Sequence, residues 1–338
     1  MAARHIVMIM LTLLILTSCN KTNEQNPLTK ELLITSRSFE TGTAGFIPRN
    51  FPNPSQDDWI DFFKKEIASY GKYYGVHTRI DAAPDIDGIP EQVNVAYQAI
   101  NNIEPYVALI IDYKDGPFTN TKGDDLKKAA VSIAKKYKPG YMSIGVELNS
   151  FYLFEPASFE IVVNYYKEIY DAIKEVSPNT KVMSNFQLDR MKGETAFTGQ
   201  NFEPNWHLLK MFEEKLDAVS FTVYPYLNYK TVEEIPEDYL LEIRKYTNKP
   251  VFITETGWPS QSILIGVKGS EQEQVDYIKK ITKQANDIKV EGIIWVAPHD
   301  FEFGEAADTF NHISLLNNDG TQKKAFEYWK AVQSLPLQ

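Results

Sequence analysis

The chain has very little cysteine, no linker and a deficit of basic residues, and each shortage narrows what it can be. Cys19 is the only cysteine in 338 residues. An internal disulfide and a multi-cysteine metal site are therefore excluded, and no thiol nucleophile exists in the body of the chain. Lys and Arg number 35 against 45 Asp and Glu, for a formal net charge of −10. An acidic surface argues against nucleic acid, whose phosphates require Lys and Arg. No G-x-G-x-x-G follows the first expected strand, and no P-loop or Ser-His-Asp arrangement stands out. A dinucleotide site therefore has no support. After residue 30 there is no Pro/Ser/Gly linker and no low-complexity stretch, which points to one domain.

What is present begins with a leader. Arg4 and His5 precede an apolar run, Ile6 to Leu16, that is too short to span a bilayer. The run ends in Leu16-Thr17-Ser18-Cys19, so residues 1–18 read as a secretory signal. Those last four letters resemble the bacterial lipobox. The resemblance implies a lipid on Cys19 as a membrane anchor, and Asn20 after it suggests the outer membrane. Residues 19–30 are polar and read as a tether, leaving 31–338 as the folded domain.

From there strand-like and helix-like segments alternate. Expected strands are 32–39, 74–80, 106–111, 141–147, 181–186, 218–224, 251–255 and 293–296. Between them lie helical patterns. One starts at Ser55-Gln56-Asp57-Asp58, a capping-box pattern, and continues with Trp59, Phe62, Phe63, Ile67 and Tyr70. Others open at Pro90, Asp124, Pro156, Trp206 and Pro236, and at the capping box Ser270 to Glu273; Lys323 to Gln333 closes the chain. The strands are short and apolar throughout, as expected where a parallel sheet is covered on both faces. Eight β-then-α units in about 300 residues fit an α/β fold of the (β/α)₈ barrel type, with an open doubly wound sheet as its rival. The long segments 41–54, 187–204, 257–269 and 298–322 follow strands, and so would crowd the C-terminal face of a barrel.

Two of the strands end in a carboxylate: YMSIGVELNS carries Glu147 and VFITETGWPS carries Glu255. Two carboxyl groups over one cleft are the equipment for cutting a glycosidic bond, one ionised to attack and one protonated to donate. Aromatic content is high, with 19 Tyr, 19 Phe and 5 Trp, and sugar clefts use aromatic faces as cores do.

These residues carry a family resemblance. Ile144 to Asn149 is similar to the fourth-strand motif of clan A glycoside hydrolases, and Thr254 to Pro259 resembles their seventh-strand nucleophile motif. Trp295 in IIWVAP and Tyr224 in FTVYPY match their eighth- and sixth-strand aromatics. The run Asn317 to Thr321, with Lys323, Ala325 and Trp329, is similar to endings in family 53 endo-β-1,4-galactanases; family 17 β-glucanases are the second choice. The resemblance implies a retaining hydrolase of β-linked galactan or glucan, with Glu147 as acid/base and Glu255 as nucleophile. It implies no cofactor. Clan A enzymes usually place an Asn before the acid/base to bond the sugar 2-hydroxyl, and here that position is Val146. Asn149 and Asn185 are the candidate substitutes. Arg79 matches an Arg that steadies the nucleophile, and His77 shares its strand face. Trp258 and Trp206 could equally stack on sugar or pack in the core. His299, Asp300 and Glu302 cluster after the eighth strand, but their spacing matches no metal-ligand pattern. A glycan-binding lipoprotein that has lost catalysis is the alternative reading, and oligomeric state is left open.

Overall fold

A computed structural model describes residues 26–79, 89–100, 103–194, 202–263, 265–301 and 309–338. Cys19 and the rest of the expected leader lie outside them. Eight parallel strands close into a barrel in sequence order. They are β1 (Glu40–Ala44), β2 (Tyr73–Arg79), β3 (Glu104–Ile110), β4 (Tyr141–Ile144), β5 (Lys181–Gln187), β6 (Ala218–Val223), β7 (Val251–Thr256) and β8 (Gly292–Val296). Pairing of β1 with β8, Gly42 opposite Ile294, closes the ring. The α/β barrel expected from the alternation is the fold observed.

The principal helices are α1 (Gln56–Asp61), α2 (Glu91–Ala99), α3 (Asn120–Tyr137), α4 (Leu148–Phe154), α5 (Pro156–Val176), α6 (Leu188–Met191), α7 (Leu208–Phe212), α8 (Glu271–Asp287) and α9 (Lys324–Gln333). Their starts follow side-chain chemistry. Ser55 and Asp58 form a complete capping box at α1, each satisfying an otherwise orphaned N–H. At α8 Ser270 accepts from the Glu273 N–H, but the Glu273 carboxylate turns away to the backbone N–H of Val232. Half of that expected box is therefore used to hold a neighbouring loop.

Apolar side chains sort into two layers. A small interior set that includes Tyr73, Tyr106, Tyr141, Met183, Phe252 and Ile294 fills the barrel. A much larger set packs the strands' outer face against the helices. Strand alternation makes this sorting: Ile294 points in and its neighbour Trp295 points out.

The first strand is not residues 32–39 but Glu40–Ala44. The earlier stretch runs beside the chain's end instead, with Arg37 bridged to Leu337 and Leu33 left 57% exposed. The true strand, ETGTA, is small and polar because the barrel closes tightly there. A Cβ on Gly42 would lie 2.3 Å from the Tyr73 carbonyl oxygen. Two expected helices are also shorter. The one from Trp206 is Leu208–Phe212 with a 3₁₀ turn to Lys215, and the one from Pro236 is only the 3₁₀ turn Leu241–Lys245.

Candidate active site

Glu147 stands just past β4, in the left-handed region at φ 54° and ψ 48°. A non-glycine residue there costs about 1–3 kcal/mol, so its surroundings must hold it. They do so through Asn185 of β5, whose side-chain oxygen accepts the Glu147 backbone N–H at 2.7 Å. The Asn185 amide then donates to Thr254 Oγ1 at 2.7 Å on β7 and to Ser220 Oγ at 3.2 Å on β6. One buried amide thus ties the backbone of Glu147 to the residue before Glu255.

The Glu147 carboxyl is 28% exposed. Arg190 Nη1 donates to its Oε2 at 2.7 Å, and Thr222 Oγ1 donates to its Oε1 at 2.9 Å. Burial and the negative charge of Glu255 push this carboxyl above its usual range, against the pull of Arg190 and Thr222. Arg190 is held in turn by Ser150 Oγ at 2.5 Å and lies over the Phe154 ring.

Glu255 lies within β7, where the pairing with β6 and β8 slips register around Thr254. Such an irregularity re-aims side chains, and is common beside active sites. Tyr224 donates to Oε2 at 2.5 Å, and His77 Nδ1 lies 2.9 Å from Oε1. Burial alone would push this carboxyl up. The attraction of His77 and the hydrogen bonds from His77 and Tyr224 outweigh it, and hold Glu255 below the usual carboxylate range. Thr222, the hydrogen-bond partner of Glu147, is the register partner of Glu255. Adjacent strands run about 4.8 Å apart, so the two carboxyls share one bowl and Glu147 senses the charge of Glu255.

Several residues expected at the sugar are committed elsewhere. Asn149 is fully buried and clamps the Gln187 backbone, donating to its C=O at 2.9 Å and accepting its N–H at 3.0 Å. Asn185 is buried in the network above, so neither Asn is a substitute for the residue missing at Val146. Trp258 is fully buried, edge-on to Tyr226. Trp295 is also fully buried, donates to the Ile313 carbonyl at 2.7 Å and packs against Trp329 of α9; the strand pleat turns it to the helix layer and away from the bowl. Trp206 stacks on Tyr246 at 4.4 Å. Arg79 pairs with Asp115 at the rim, and His77, one turn of the pleat deeper, is the residue that reaches Glu255. Lys323 pairs with Asp300 at 2.6 Å, and His299 Nδ1 faces the Ile47 carbonyl; Glu302 lies outside the described residues. Among the described residues no group of three His, Cys, Asp or Glu could hold a metal ion.

Arg190, Thr222 and Tyr106 belong to the site and were not anticipated. Only Tyr106 left a trace in the sequence: Gly75, in the middle of β2, where an added Cβ would lie 2.6 Å from the Tyr106 hydroxyl.

A closed eight-stranded barrel with paired carboxyls at the ends of its fourth and seventh strands defines a barrel-type glycoside hydrolase. The chain belongs to glycosyl hydrolase family 53, whose model matches residues 114–293. A comparison with curated proteins returns no match. Among solved structures, the GH53 catalytic domain of Ignisphaera aggregans is 15% identical over 91% of this chain and 94% of that one, with a TM-score of 0.57. The β-glycosidase BGL167 is 14% identical over 89% of this chain and 98% of its own, with a TM-score of 0.63. A GH2 β-galacturonidase from Eisenbergiella tayi is 17% identical over 89% of this chain, with a TM-score of 0.58. This chain spans only 52% of the galacturonidase. At these identities the likenesses speak for the fold alone.

Proposed function

We propose that the protein is a retaining hydrolase of β-glycosidic bonds in a neutral polysaccharide, galactan first and glucan second. The observation that supports this reading is the opposed state of the two carboxyls. Glu255 is held down by His77 and Tyr224, and Glu147 is pushed up by burial and by Glu255. Titratable pairs driven apart in this way are the mark of an acid and a nucleophile sharing a site.

In the first step an oxygen of Glu255 bonds to the anomeric carbon as the bond to the leaving oxygen breaks, and Glu147 gives that oxygen its proton. In the second, water attacks the anomeric carbon and passes a proton to Glu147. The carboxylate of Glu255 is released and configuration is retained. His77, Tyr224, Thr222 and Arg190 hold the two groups in place. A panel of polysaccharides tests the substrate, with Glu147→Ala and Glu255→Ala as controls. A 2-fluoro-glycoside inactivator tests the roles: the label is expected on Glu255, and a label elsewhere overturns the assignment.

One observation favours a second reading, a glycan-binding barrel without turnover. Val146 takes the place of the 2-hydroxyl donor, and Asn149 and Asn185 are both engaged elsewhere. Bonds to that hydroxyl supply several kcal/mol in the transition state. Binding of glycans with no cleavage on the panel would decide for it. We also propose a lipid anchor on Cys19 at the outer membrane; Cys19→Ala should move the protein to the soluble fraction and abolish fatty-acid labelling.

A further inference from the structure

The hydrogen bonds behind Glu255 fix where protons must lie. The Thr254 carbonyl can only accept, and Tyr106 Oη lies 3.0 Å from it, so the one Tyr106 proton points there. Burial pushes the Tyr106 hydroxyl well above its usual pKa, so that proton is not lost at any working pH. His77 Nε2 lies 2.5 Å from the same hydroxyl oxygen. With the hydroxyl proton already committed, this contact needs a proton on Nε2. A neutral imidazole carries only one N–H. Nδ1 would then face the Glu255 Oε1, 2.9 Å away, lone pair against lone pair unless a second proton lies between them.

We propose that Tyr106 is a positioning residue of this hydrolase: it pins a proton on His77 Nε2, so that Nδ1 must donate to Glu255 and keep it a carboxylate ready to attack. The inference rests on the assignment of Glu255 as nucleophile. The Nδ1 proton stays on the ring throughout. It bonds to a carboxylate oxygen before attack, to the ester oxygen in the glycosyl-enzyme, and to the carboxylate again after water has cleaved it. The chain Thr254–Tyr106–His77–Glu255 starts and ends on β7, one residue apart. It therefore fixes the carboxyl relative to its own strand.

Among the described residues the groups facing this chain are few. Glu255 meets His77 from β7 and Tyr106 meets it from β3. Arg79, two residues along β2, turns to Asp115. Tyr224, just past β6, reaches the other oxygen of Glu255, and across the bowl the Glu255 charge acts on Glu147. The Tyr106 ring also packs edge-on to His77 at 5.6 Å and against Phe252 at 5.6 Å. Tyr106→Phe therefore keeps the packing and deletes only the oxygen.

The test is Tyr106→Phe in the full chain, read in two ways. The first is the ¹⁵N spectrum of the His77 ring. Wild type should show both nitrogens in the protonated range while Glu255 is ionised, and Tyr106→Phe should lose that state at one nitrogen. The second is kinetics. kcat for the glycosylation step should fall roughly tenfold, the worth of one hydrogen bond to a charged group, with KM within about twofold and the acid limb of the pH profile moved up. His77→Gln, whose single amide nitrogen carries no charge and cannot serve Tyr106 and Glu255 from two separate ring positions, should give the same acid-limb shift. An unprotonated Nε2 in wild type, or an unchanged pH profile in a folded Tyr106→Phe, overturns the proposal. The ring spectrum needs no turnover. A chain that cleaves nothing but shows the doubly protonated ring would refute the nucleophile assignment and leave the proton placement standing.

Discussion

Substitution of Asn185 separates a structural role from a sugar-binding one. Asn185 is 1% exposed and joins three strands through the Glu147 N–H, Ser220 Oγ and Thr254 Oγ1. Asn185→Ala leaves three buried polar groups without this partner, and each costs about 1–3 kcal/mol. Ser220 and Thr254 keep other bonds, to the carbonyls of Ser184 and Phe221, which places the total near the lower end, about 3 kcal/mol. With an unfolding entropy of roughly 2.1 cal/mol/K per residue over about 300 residues, that is a fall in Tm of about 5 °C. Calorimetry measures it directly. Activity should fall as well, because the left-handed backbone of Glu147 loses the bond that holds it. Asn185→Asp should restore the acceptor for Glu147 but neither donor, and should still be destabilised. A Tm within about 1 °C of wild type, with activity abolished, would refute the reasoning and return Asn185 to the substrate.

Two further substitutions probe the opposed carboxyls. Arg190 pulls the Glu147 carboxyl down against burial, so Arg190→Met should raise it and extend the protonated form to higher pH. The ratio of kcat/KM at pH 9 to that at pH 7 should rise, and a fall would contradict the electrostatics. Tyr224 helps to hold Glu255 down, so Tyr224→Phe should move the acid limb of kcat/KM to higher pH. Its kcat should fall by about ten- to a hundredfold, the range for a hydrogen bond to a charged group; a full pH–rate profile reads both effects.

The electrostatics also explain how the site tolerates an arginine beside Glu147, the proposed acid. A guanidinium 2.7 Å from a carboxyl ordinarily keeps it ionised, which would disable proton donation. Here burial and the Glu255 charge act in the opposite direction and prevail. Under the proposed mechanism Arg190 thus tempers Glu147 without disabling it as an acid, and favours the ionised form that the second, water-activating step would require. Its anchoring by Ser150 and Phe154 keeps that influence fixed in geometry.

Seven of the eight strands were legible because a strand covered on both faces must be apolar throughout, and a run such as VFIT has no other comfortable place. The first strand was not, since tight closure at Gly42 demands small residues where a pattern reader looks for large ones. The two carboxylates were legible by position, as charged residues where apolar strands run out. Side-chain direction was the illegible part. His77 and Arg79 share a face of β2, and only their height in the bowl sends one to Glu255 and the other to Asp115. Trp295 is on the right strand and faces the wrong layer. Counting alternate residues could have predicted this on a regular strand. It fails on β7, where the register slips between Ile253 and Thr256 and moves every later side chain out of the parity set by the earlier ones. No local pattern in VFITETGWPS encodes that slip, so the residues most sensitive to it are those whose roles require the fold.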